Sequence, residues 1–104
     1  MTWHRIVLAT PLRSGDKQVC QVADQEILVS RIEDRYFATS SRCTHAAWPL
    51  VGEPILGMEI VCTLHGARFD LRDGCPSGGP ASKPLDTFPI ERRDGDLFVC
   101  LPDA

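Results

Sequence analysis

Two short peptides constrain this chain more than any other feature. One is Cys43-Thr44-His45 and the other is Cys62-Thr63-Leu64-His65. Each offers one thiol and one imidazole, and residues 46–61 lie between them. A fold that uses all four side chains together must bring two distant loops to one point. Two sulfur and two nitrogen donors suit zinc or an iron–sulfur centre. The order of the donors bears on the choice. The familiar zinc finger keeps its cysteines together and its histidines together, whereas here the order is Cys, His, Cys, His. With two irons, each loop can give its Cys to one metal and its His to the other. A tetrahedral zinc site built from the same four side chains, Cys43, His45, Cys62 and His65, stays open as the alternative.

The surrounding sequence reads as all-β. No segment sustains a helical period, and short runs rich in Val, Ile, Phe and Thr recur between turn signals. Strands are expected over 3–10, 17–23, 26–33 and 36–40, then over 58–61 into Cys62, over 67–71, and over 87–91 and 96–101. Ser14-Gly15-Asp16, Asp73-Gly74 and Asp94-Gly95 are turn signals. Pro89 is expected at a sheet edge or a bulge, since it has no amide to donate. Residues 75–84 (CPSGGPASKP) are expected to carry no regular structure. Residues 42–72 then form an insertion that presents the two Cys/His loops at its tips. A chain of 104 residues suffices for one domain.

Charge and cysteine usage exclude other classes. A net charge of −3 argues against nucleic acid as a partner. The opening MTWHRIVLAT holds no long apolar run, so neither a signal peptide nor a membrane anchor is expected there. The cysteine count of five is odd, which argues against a disulfide framework. Cys20 and Cys100 sit in apolar strand-like runs and are read as buried, Cys75 as an inert turn residue. Arg68 and Asp70 alternate with Phe69 on one strand and are read as a structural ion pair rather than a catalytic one. His4 is read as a surface residue. No nucleotide-binding loop or nucleophile–base motif is found, and no second iron site.

Two His replacing two Cys on one iron is the ligand division of a Rieske [2Fe–2S] centre. The runs CTHAAWPL and IVCTLHGARFD resemble a Rieske domain. The chain as a whole is similar to the small Rieske-type ferredoxins of bacterial aromatic-ring-hydroxylating dioxygenases, most clearly from Tyr36 to Leu101. The resemblance implies a Rieske (ISP-type) fold: an antiparallel β sandwich or barrel with an inserted cluster-binding subdomain. It implies one domain over 1–104, with a basal scaffold at 1–41 and 73–104, a cluster-binding part at about 42–72 and a proline loop at 75–84. Gly79-Pro80-Ala81 matches the loop that covers the cluster in such domains.

The same resemblance implies one [2Fe–2S] cluster, held by Cys43 and Cys62 on one iron and His45 and His65 on the other. Two ferric ions, two sulfides, two thiolates and two neutral imidazoles sum to zero, so reduction is easier than for an all-thiolate dianion. High-potential members carry a further Cys in each loop and hydroxyls near the sulfurs. Here the matching positions are Ala47 or Trp48, Leu64, Ala67 and Phe69, so a low potential is expected. The implied role is a soluble cytoplasmic carrier, not an enzyme and monomeric. It would move single electrons from an NAD(P)H-dependent flavoprotein reductase to a terminal Rieske oxygenase. His45, His65, Trp48, Leu64 and Pro80 are the expected partner-contact residues. Two other readings are a small Rieske subunit of another redox enzyme, such as a nitrite or arsenite oxidoreductase, and a zinc-stabilised β interaction domain.

Overall fold

Successive side chains of a strand point to opposite faces, so a strand with consecutive fully buried residues must be covered on both sides. Ile27, Leu28, Val29 and Ser30 are each 0% exposed. Their strand is the centre of the molecule. The computed structural model describes residues 1–44, 47–64, 66–79 and 83–103. In chain order the strands are β1 (Thr2–Ile6), β2 (Lys17–Val22), β3 (Gln25–Ile32), β4 (Arg35–Ser40), β5 (Ile55–Leu56), β6 (Glu59–Cys62), β7 (Ala67–Asp70), β8 (Pro76–Gly78), β9 (Thr87–Phe88), β10 (Ile90–Arg93) and β11 (Asp96–Leu101). Among the described residues they form antiparallel sheets in the orders β1-β11-β10, β2-β3-β4-β9 and β5-β6-β7-β8. No helix there is long and apolar enough to cross a membrane.

Two cores lie on opposite sides of the middle sheet. Ile27 and Val29 pack with Ile6, Val22, Ala38, Phe88, Leu97 and Val99, which come from the first and second sheets. Leu28 points the other way, into a core with Phe37, Cys43, Leu50, Ile60, Cys62, Phe69 and Leu71. The middle sheet is therefore the floor on which both Cys-bearing loops rest.

Turn chemistry fixes the hairpins. β2 and β3 join through Ala23 and Asp24 at φ 49° and 65°, and β10 and β11 through Asp94 and Gly95 at 50° and 86°. Two residues of positive φ give the loop whose twist matches the strands. At Asp73-Gly74, a Cβ on Gly74 would lie 2.2 Å from the Leu85 carbonyl oxygen, so only glycine fits there.

Four expectations differ from the structure. The first strand ends at Ile6, not residue 10. Ile6 pairs with Leu97, near the start of β11, so the residues beyond it have no partner strand. β5 was not expected among the prolines and glycines of 49–57; it needs only two paired residues, turned by Gly57 at φ 63°. Residues 75–84 are not wholly irregular, because β8 runs along β7. Pro76 is tolerated since β8 is an edge strand and its register shifts at Arg68/Phe69. The one strand expected over 87–91 is two, because Pro89 stands between β9 and β10, where the chain passes from the second sheet to the first.

Candidate metal centre

β6 is an apolar strand that delivers Cys62 at its end, opposite Ala67 of β7. The first loop leaves β4 and is held by three backbone bonds. Cys43 N–H donates to the Trp48 carbonyl (2.8 Å), Ala47 N–H to the Cys43 carbonyl (2.8 Å) and Leu50 N–H to the Ser41 carbonyl (2.9 Å). The second loop closes in the same way as the first. Gly66 N–H donates to the Cys62 carbonyl at 2.8 Å, again four residues on. In both loops the donor has positive φ, 53° at Ala47 and 76° at Gly66. Each cysteine carbonyl thus anchors an arch that carries the histidine of its own motif in sequence.

The loops bring two thiols together. Cys43 and Cys62 are each 1% exposed and neither is in a disulfide. Their side chains lie close enough for each to bear on the other's charge. Burial pushes the Cys62 thiol above its ordinary range, the Leu64 N–H donated to its sulfur pulls it down, and the contact with Cys43 raises it again. Two buried, uncrosslinked thiols in contact fit one metal ion bound by two thiolates, because a cation supplies the charge that burial otherwise opposes. His45, His65 and Pro80 lie outside the described residues.

The segment around Pro80 is tied to both loops at its flanks. A Cβ on Gly79 would sit 2.4 Å from the Gly66 carbonyl oxygen and 2.7 Å from the Ala67 nitrogen, so the chain there lies directly against the second loop. On the other flank, Thr44 Oγ1 donates to the Lys83 carbonyl at 2.7 Å. Trp48 and Leu64, one on each loop, are 44% and 43% exposed.

Sequence reasoning missed Glu53. It is nearly buried, yet its carboxylate accepts from Trp48 Nε1 (3.1 Å), Thr63 N–H (2.5 Å) and Thr63 Oγ1 (2.7 Å). The Thr63 bonds hold its carboxyl below the usual range. An acidic residue between the two motifs was the only signal for it. The pairing of Arg68 with Asp70 is not found: Arg68 lies 4.0 Å from Glu59, while Asp70 pairs with Arg72 at 2.7 Å. Cys20 and Cys100 are buried and Cys75 is exposed. His4 is half-buried on β1.

The profile of the Rieske [2Fe-2S] domain family matches residues 2–89. Ferredoxin CarAc of Metapseudomonas resinovorans is 30% identical over 98 residues, which cover 93% of this chain and 92% of that protein. The ferredoxin component of biphenyl 2,3-dioxygenase from Rhodococcus jostii is 34% identical, with 97% of this chain and 94% of that one covered. A solved complex of reduced oxygenase and oxidized ferredoxin in carbazole 1,9a-dioxygenase contains a chain that superposes with a TM-score of 0.84 at 28% identity, covering 93% of this chain and 100% of that one. With a profile match over most of its length and relatives aligned nearly end to end, the chain belongs to the Rieske [2Fe–2S] family as one of its ferredoxins.

Proposed function

We propose that this protein is a single-electron carrier for the terminal oxygenase of an aromatic-ring-hydroxylating dioxygenase, drawing its electrons from an NAD(P)H-dependent flavoprotein reductase in the bacterial cytoplasm. The observation that supports this most is the buried thiol pair Cys43/Cys62 on two loops closed alike, in a chain whose relatives are ferredoxin components of biphenyl and naphthalene dioxygenases. Cys43 and Cys62 would hold one iron and His45 and His65 the other. A [2Fe–2S] centre so bound supplies a one-electron couple and no bond chemistry.

The protein's part is to bind, shield and tune. Burial of both cysteines keeps water from the thiolates. Donors to sulfur are few. Thr44 Oγ1 is committed to the Lys83 carbonyl and Thr63 Oγ1 to Glu53, while Ala67 and Phe69 are buried and have no hydroxyl. Fewer donors stabilise the reduced state less, which favours the low end of the Rieske range, about −150 mV. The docking rim would comprise His45, His65, Trp48, Leu64 and Pro80. Such a contact is small and transient, as electron-transfer encounters are, and the carrier is a monomer between them.

Electron paramagnetic resonance on the dithionite-reduced protein tests this, together with iron and acid-labile sulfide assays. The expected result is a reduced [2Fe–2S] signal with a mean g-value below that of an all-cysteine ferredoxin. A silent protein containing zinc and no sulfide would overturn the reading.

A further inference from the structure

We infer that Glu53 is a positioning residue for the cluster: its buried carboxylate joins the two ligand loops and holds a fixed negative charge beside them. The inference rests on the cluster reading above and assigns a role to a residue outside the Cys/His motifs. Each loop is closed by its own backbone bonds, and among the described residues no backbone hydrogen bond runs between 41–50 and 62–67. Apart from the approach of the two thiols, Glu53 is a direct polar link between them among the described residues. One carboxylate oxygen takes the Trp48 indole N–H from the first loop, and the other takes the Thr63 amide and hydroxyl from the second.

The carboxylate stays charged. Burying an ion without partners is very costly, and hydrogen bonds to the charged form offset that cost. Glu53 has three such donors and makes no ion pair with Lys or Arg among the described residues. Its field therefore persists locally, beside the second loop, where Thr63 directly follows Cys62 in the chain. A cation on that side is Lys17 of β2, which faces Asp16 first and Glu53 second. Lys17 lies on the same face of that strand as Val19, which packs against the core holding both cysteines. A fixed negative charge opposes the arrival of an electron, so Glu53 lowers the potential and Lys17 partly offsets it.

Redox titration and the rate of cluster release to a chelator, measured on the loaded protein, separate the two duties. Glu53→Gln is expected to shift the potential to more positive values and to release the cluster several-fold faster. Trp48→Phe keeps the charge and removes one donor, so it should release the cluster faster at an unchanged potential. Lys17→Met leaves the link intact and uncovers the charge, so the potential should move to more negative values. If Glu53→Gln fails to load, the other two variants still decide both duties. A loaded wild type whose variants keep its potential and its release rate overturns this inference alone. A wild type that carries zinc and no sulfide overturns the function reading instead.

Discussion

Cys75 is the one exposed cysteine of the five, and its neighbour decides its chemistry. The Asp73 carboxylate pushes the thiol above its ordinary range, so little thiolate forms at neutral pH. Alkylation needs the thiolate. Iodoacetamide is therefore expected to label Cys75 slowly at pH 7.5 (roughly neutral conditions). Asp73→Asn should raise the rate several-fold, because removing the negative charge lowers the thiol pKa. Asn retains an Oδ1 acceptor for the Cys75 N–H, now bonded at 2.9 Å. Equal rates by mass spectrometry would leave Asp73 without this effect. At this scale the sequence displays donors well and partners badly. Cys43 and Cys62 stand out because a histidine follows each within three residues. Glu53 does not, since an acid between Gly52 and Pro54 reads as a loop charge. Only the fold brings residues 48 and 63 to it. Arg68 and Asp70 show the same gap: alternation on β7 gives their faces, while their ion-pair partners come from β6 and from the turn after β7.

At the level of elements, both Cys-bearing loops use one closure, and its residues differ in strain. Ala47 holds φ 53° where an L side chain is disfavoured by about 1 kcal/mol, whereas Gly66 holds 76° at no such cost. Ala47→Gly is expected to raise stability by up to about 1 kcal/mol, and Gly66→Ala to lower it by a similar amount. Gly66 has open space around a hypothetical Cβ, so strain is its whole cost. Gly79 is different. Its Cβ would collide with backbone of the second loop, which cannot swing aside as a side chain can. Gly79→Ala should cost clearly more than Gly66→Ala and should hasten cluster release. Urea titration of the purified variants orders the three, and a harmless Gly79→Ala would mean that the segment does not press on the loop. Legibility follows from pairing strength. The long strands β2, β3, β4 and β11 are readable because β-branched runs and positive-φ turns agree. β5 and β8 are short edge pieces among prolines and glycines, and their existence depends on a neighbour's register.

For the whole molecule, the decisive fact is that the middle sheet is covered on both sides. The run Ile27-Leu28-Val29 has no apolar–polar alternation, so the sequence could name it a strand but could not say which side faces which partner. The structure gives Leu28 to the core that holds Cys43 and Cys62, and Ile27 and Val29 to the scaffold core. Among the described residues, that scaffold core draws no buried residue from between Ala38 and Phe88. Its packing is therefore independent of the bound group, while the second core contains both thiols. Removing a bound metal group takes binding free energy from the second core alone. The apo protein is expected to keep slow amide exchange in β2, β3 and β11. Exchange in β6 and β7 should quicken by an order of magnitude or more, because local opening needs less energy than global unfolding. Hydrogen-exchange mass spectrometry on cluster-loaded and stripped protein makes the comparison. Uniform loss of protection in the stripped protein would mean that the scaffold cannot stand without the metal group. Protection lost only in β6 and β7 would mean that the two-sided sheet lets an independently stable sandwich carry a subdomain whose order depends on what it binds.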